Sequence, residues 1–130
     1  VIVVDASVLA TALGDDASDG RRMRGRLETE RVLCAPEVID LEVVLAWRRQ
    51  LDAGWLEPIG AQQALADLAE LSLVRASHRP LMPRIWELRD NLTPYDAAYV
   101  ALAETLDATL LTADSRSTRA PSLRCKVELL

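Results

Sequence analysis

Apolar positions along this chain fall into short unbroken runs separated by longer stretches with helical spacing. Residues 1–4 read VIVV, β-branched with no polar alternation, the pattern of a strand buried on both faces of a parallel sheet. Residues 31–35, 73–74, 109–112 and 126–128 form further short strands. Between them the period changes to that of helices. Ser7 is placed to cap a helix running through Leu9 and Leu13. An acidic loop over 14–20 precedes a basic helical segment over 21–27. Pro36 suits the first turn of a helix continuing over 37–51, with Gly54 as its C-terminal cap. Residues 61–71 are amphipathic. Pro80 or Pro83 starts a helix through Ile85, Trp86 and Leu88. Thr93 and Pro94 open a last long helix, which ends near Leu106. Its Ala97, Ala98, Val100, Ala101, Leu102 and Ala103 cover most of its circumference, so it is expected to be buried on most sides.

Strands alternating with helices predict an α/β protein with a parallel sheet covered on both faces. There is no repeat and no linker, so residues 1–130 read as one domain. Ligands bind such sheets beyond the carboxyl ends of the strands. Asp5 and Asp114 both stand just past predicted strands and should emerge on that edge.

Four acids have apolar surroundings. Asp5 follows VIVV; as an isolated residue it could equally be a turn or cap residue. Glu42 lies in a helix whose apolar stripe is expected to include Val38, Leu41 and Leu45. An unpaired charge there is costly, and the alternative is an ion pair with Arg49. Asp40, on nearly the opposite face, is the weaker candidate. Asp96 stands three residues after Thr93, which fits a capping box, but it opens a helix that should point its N-terminus at the core or a cleft. Asp114 follows LLTA and could simply cap the next helix. Together the four propose carboxylates converging at one edge. Their repulsion would raise their pKa values unless a cation sat among them. With no His or Cys nearby, Mg²⁺ or Mn²⁺ suits the set better than zinc, and such ions can drive phosphodiester cleavage.

Net charge is the first objection to nucleic acid. Fifteen Lys and Arg against twenty Asp and Glu give −5, which excludes a generic basic clamp. Without the four proposed ligands the remainder is nearly neutral. Three Trp, two Tyr and no Phe make base stacking a minor theme. No apolar run approaches the roughly 20 residues of a membrane span, and the opening residues lack the basic region of a secretory signal. Cys34 and Cys125 read as small buried residues in a reducing cytosol.

The acids sit in segments that resemble a known family. VIVVDASVL around Asp5 and Ser7 looks like the opening of PIN-domain ribonucleases. APEVIDLE, ending at Glu42, resembles the second motif of that family, TPYDAAYVALA around Asp96 the third, and LLTADSR around Thr112 and Asp114 the fourth. The four occur in order across nearly the whole chain, and the third is most similar to VapC-type toxins of toxin–antitoxin pairs. The resemblance implies a three-layer α/β/α sandwich and metal-dependent cleavage of RNA. Asp5, Glu42, Asp96 and Asp114 would hold Mg²⁺ or Mn²⁺, with Ser7 and Thr112 as supporting polar groups. A cognate VapB antitoxin and a homodimer are implied too. Some members carry a further acid after the fourth motif; Ser115, Arg116, Ser117 and Thr118 supply none.

Arg21, Arg22, Arg24 and Arg26 form the densest basic group, either a solvated helix face or a phosphate contact beside the metal site. Arg116, two residues from Asp114, is a further RNA-binding candidate, with Arg48 and Arg49 behind it. His78, the single histidine, has no partner at a telling distance in sequence, so a histidine-dependent triad is unsupported. Trp55 and Leu56 could belong to a dimer or antitoxin surface. Rival functions are a phosphotransfer or phosphatase-like domain and a silent PIN-like interaction module. The first lacks its chemistry: the single lysine is Lys126, and Ser7 stands where a haloacid-type phosphatase would carry a second Asp.

Overall fold

The computed structural model describes all of residues 1–130. Five parallel strands, β1 (Ile2–Val4), β2 (Leu33–Pro36), β3 (Leu73–Ala76), β4 (Thr109–Thr112) and β5 (Val127–Leu129), form one sheet in the order β3-β2-β1-β4-β5. β1 pairs with β2 through Ile2↔Leu33 and with β4 through Val3↔Leu110. Both its faces are covered, so all three of its residues are buried, as the VIVV run requires.

The chain leaves β1 in one direction through β2 to β3, then returns to build β4 and β5 on the other side. Right-handed crossovers therefore place the helices of the two halves on opposite faces. Helices α1 (Ala6–Gly14), α2 (Ser18–Glu28), α3 (Ile39–Asp52) and α4 (Pro58–Glu70) pack together on one face. On the other, α6 (Pro94–Leu106) crosses β1, β2 and β4 and is braced by α5 (Met82–Glu87), which follows a 3₁₀ turn over Arg79–Leu81. A short α7 (Ser115–Arg119) joins β4 to β5. This is the three-layer α/β/α sandwich. Ala97 through Ala103 are all buried, because the small side chains let α6 lie close on the sheet.

Several local expectations are corrected. Pro36 ends β2 instead of opening a helix. It lies past the last β1–β2 pair, Val3↔Cys34, so its missing N–H leaves no bond to β1 unmade. Ser7 does not cap α1; the cap position is Asp5. Pro58 occupies the first turn of α4, extending that helix into the expected connector. The buried stripe of α3 is Ile39, Val43 and Trp47, not Leu41 and Leu45, which are exposed. Trp47 donates its indole N–H to the Ala10 carbonyl at 3.1 Å and so ties α3 to α1. Gly54 follows α3 at φ +77°, a left-handed position suited to glycine. Leu56 is buried while Trp55 is exposed, and Cys125 is only half-buried. No helix is long and apolar enough to cross a membrane.

Candidate active site at the carboxyl edge of the sheet

The strand order reverses between β1 and β4, and a crevice at such a switch point is where this architecture binds ligands. Asp5 follows β1 and holds the N-cap position of α1, its side chain making no bond to the helix backbone; Asp114 follows β4 and caps α7 through its side chain. Asp96 is in the first turn of α6 and Glu42 in the first turn of α3. Helices return antiparallel to the strands they follow, so their N-termini gather at the strands' carboxyl ends. All four acids are therefore at helix N-termini, where the backbone dipole favours negative charge.

Asp5 is the most rigidly held. Its Oδ2 accepts from Thr112 Oγ1 at 2.7 Å and from Ser7 Oγ at 2.9 Å. Thr112 Oγ1 also accepts from the Asp114 N–H at 3.0 Å, and Ser7 Oγ accepts from the Ala113 N–H at 3.1 Å. Two hydroxyls thus lock the end of β1 to the end of β4. Both point their protons at one oxygen of Asp5, which leaves Oδ1 for another partner.

Glu42 is half-buried and makes no pair with Arg49. Its Oε1 accepts from the Tyr99 hydroxyl at 2.9 Å, across the sheet edge from α6 to α3. Burial pushes the Glu42 carboxyl up, the Tyr99 hydrogen bond opposes this, and the charges of Asp5 and Asp96 add to the rise. Tyr99 itself is raised by burial and by the carboxylates around it, so it stays a neutral donor. No motif spacing marks Tyr99. Its signal in the sequence is a hydroxyl among the apolar residues of α6, which when buried must find an acceptor.

Asp96 is raised by burial and then by the charge of Asp5; Asp114 adds to this, while Thr93 and Arg116 oppose it. Its N–H donates to Thr93 Oγ1 at 3.2 Å, the Thr93 half of the capping box. Capping and membership of the cluster are thus compatible. Asp114 behaves differently. Arg116 clasps both its oxygens, Nη2 on Oδ2 at 2.7 Å and Nε on Oδ1 at 3.1 Å, and holds its carboxyl below the usual range.

The structure therefore brings the four acids to one edge, close enough for their charges to act on one another. No three of them gather tightly enough to ligate one ion unaided. The donor set fits a hard cation that keeps several of its waters, the ordinary state of Mg²⁺, which needs only one or two direct carboxylates. It does not fit zinc, since no His or Cys stands among the acids.

The basic helix lies elsewhere. Arg24 donates to the carbonyls of Ala12 at 2.7 Å and Asp15 at 2.8 Å, at the end of α1 remote from Asp5. Arg26 grips Glu128 and Glu30, Arg22 is near Asp19, and Arg21 reaches the Asp16 carbonyl. These side chains brace α2 instead of lining the acidic edge. Asp40 likewise is explained by a bidentate pair with Arg75 on β3.

A parallel α/β/α sandwich with acids from four separate helix N-termini at its switch point defines a class of α/β domains with an acidic cleft at the carboxyl edge of the sheet. Residues 2–123 match the PIN domain family. Ribonuclease VapC1 of Mycobacterium tuberculosis is 40% identical over 132 residues, covering 98% of this chain and 96% of the relative. Ribonuclease VapC9 of the same organism is 36% identical over 130 residues, covering 100% and 98%. Among solved structures, VapBC2 from Rickettsia felis bound to a DNA fragment from its promoter superposes with a TM-score of 0.63. That match covers 98% of this chain and 97% of the other at 14% identity, and it supports the fold alone. The chain belongs to the PIN-domain family and within it to the VapC-type proteins.

Proposed function

We propose that this protein is a metal-dependent endoribonuclease, the toxin of a type II toxin–antitoxin pair. The observation that carries the reading is the convergence of Asp5, Glu42, Asp96 and Asp114 on one edge, with Glu42 and Asp96 raised by burial and by their neighbours' charge. Relatives at 36–40% identity that bear the name ribonuclease support it.

Asp5, Glu42, Asp96 and Asp114 would hold Mg²⁺ or Mn²⁺ directly or through water, with Asp114 shared with Arg116. When bound, the ion would supply Lewis-acid activation of water and stabilise charge on the phosphate and leaving oxygen. Ser7 and Thr112 keep Asp5 in one rotamer, with both hydroxyls on Oδ2 and Oδ1 left to act as a ligand. Tyr99 holds Glu42 in the same way. Arg116 can exchange Asp114 for a phosphate oxygen, which matches guanidinium geometry equally well. Hydrolysis by water gives 5′-phosphate and 3′-hydroxyl ends and leaves the 2′-hydroxyl unused.

The partners in this reading are RNA as substrate, a VapB-type antitoxin and a second copy of the chain. The deciding experiment is incubation with mixed cellular RNA in Mg²⁺, Mn²⁺ or EDTA. Cleavage with 5′-phosphate ends that disappears in EDTA and in Asp5→Asn and Asp96→Asn supports the proposal. Cleavage persisting in EDTA or in either variant overturns it.

A further inference from the structure

An apolar cavity of about 290 Å³ opens directly beside the acidic edge. One wall is Pro94, Tyr95 and Ala98 of α6, so its residues flank Asp96 on both sides in sequence. Val38, one helical turn before Glu42, forms another, and Met82 and Ile85 of α5 complete the lining. His78, in the turn after β3, stands at the rim. The cavity is thus enclosed by the same two helix starts that carry Glu42 and Asp96, yet none of its seven lining residues is acidic. Its volume is at the small end of ligand pockets, about 300–1,000 Å³. That is room for one flat ring system and too little for a helix.

We infer that this cavity is a nucleobase subsite, taking the base of a nucleotide next to the phosphate that sits at the carboxylates. This rests on the proposed ribonuclease reading and adds to it where sequence preference arises. RNA is read through unstacked bases laid on aromatic rings and bonded along their polar edges. Tyr95 is more than half exposed and lies one residue from Asp96, so its ring is free to stack. The ring nitrogens of His78 can hydrogen-bond the base edge. The apolar walls accept the faces of a base. Base stacking is thus concentrated at one tyrosine, and His78, which has no partner for a catalytic triad, serves recognition.

The test uses the full chain and four short RNA oligonucleotides that differ only in the base beside the mapped cleavage point. The parent should cut them at rates spread by about tenfold or more, in line with one stacked, hydrogen-bonded base. Tyr95→Ala and His78→Ala should still cut, with the spread reduced to about twofold, and Tyr95→Trp should keep it. An unchanged spread in Tyr95→Ala, or a uniform loss on all four, overturns the inference. A second arm reads binding without cleavage, by fluorescence anisotropy in Ca²⁺, with an abasic site moved through each position of one oligonucleotide, and so remains readable if the ribonuclease reading itself fails. At one position the abasic site should weaken binding to the parent by about tenfold and leave Tyr95→Ala unaffected. Equal weakening in both proteins overturns the subsite. So does a Tyr95→Ala variant that loses self-association or antitoxin binding while keeping its base preference.

Discussion

Replacing Thr112 by Val isolates the clamp on Asp5. The two side chains are nearly equal in size and both β-branched, so strand β4 should keep its geometry. Only the hydroxyl is lost. In the parent it donates to Asp5 Oδ2 at 2.7 Å and accepts from the Asp114 N–H at 3.0 Å. Thr112 is 0% exposed, so water cannot take its place. A hydrogen bond to a charged group contributes about 1.5–3 kcal/mol, and an abandoned backbone donor adds about 1 kcal/mol. The expected loss is therefore about 2–4 kcal/mol, within the roughly 5–15 kcal/mol that holds a domain together. The variant should fold and melt about 10 °C lower in EDTA, read by circular dichroism. Asp5 would keep only the Ser7 bond, and small misplacements of a reacting group can cost about a hundredfold in rate. Cleavage of RNA should therefore fall by at least tenfold. Thr112→Ser restores the hydroxyl and should recover most of the activity. A Val variant that melts within 2 °C of the parent (about 0.5 kcal/mol) and cuts at the parent's rate would refute the clamp.

Glu42→Gln and Asp96→Asn should raise the melting temperature in EDTA at pH 8 while abolishing cleavage. Both acids are raised in the folded state, so the parent's stability falls as pH rises through their folded values; a parent that gains nothing at pH 5 relative to these variants would contradict this. Mg²⁺ titration should stabilise the parent at pH 8 and leave Asp96→Asn little changed, which calorimetric scans can compare. Glu104 accepts from Arg84 at 2.8 Å and from the Arg124 N–H at 2.8 Å, both ends of the pair being largely buried. Burial raises this carboxyl, but Arg84 and Arg124 outweigh it and hold it below the usual range. Its stabilisation is thus present above the unfolded value and lost as pH falls through the folded one. Glu104→Ala should cost about 3 kcal/mol by urea unfolding at pH 7, with the gap to the parent closing in acid. Trp47→Phe removes the 3.1 Å bond to the Ala10 carbonyl and should cost about 1–2 kcal/mol with cleavage retained; a large loss of cleavage at parental stability would show that this brace reaches the site.

The sequence determined a great deal by local means. VIVV before Asp5 suits a strand covered on both faces, and the nearly all-apolar stretch after Thr93 marks a helix buried on most sides. A strand ending in an acid puts that acid at the carboxyl edge whatever the rest of the chain does. For this reason Asp5 and Asp114 were legible before any contact was known. The alternation of strands and helices fixed the fold class for the same reason: each crossover is a local event with one permitted hand.

Long-range pairing was decided by tertiary structure alone. Which face of α3 is buried depends on how that helix crosses α1, and Val43 with Trp47 prevailed over Leu41 with Leu45. Whether Glu42 met Arg49 or the hydroxyl of Tyr99 was settled by α6 arriving from the other face of the sheet. The arginines of α2 looked like one basic surface because charge is all that a linear sequence displays. Packing turned Arg24 to the Ala12 and Asp15 carbonyls and Arg26 to Glu128, partners that no spacing rule connects to them. Partners separated by 57 residues, as Glu42 and Tyr99 are, or by 107, as Asp5 and Thr112 are, leave no periodic trace. Their hydrogen bonds exist because five short strands brought four helix starts to one edge.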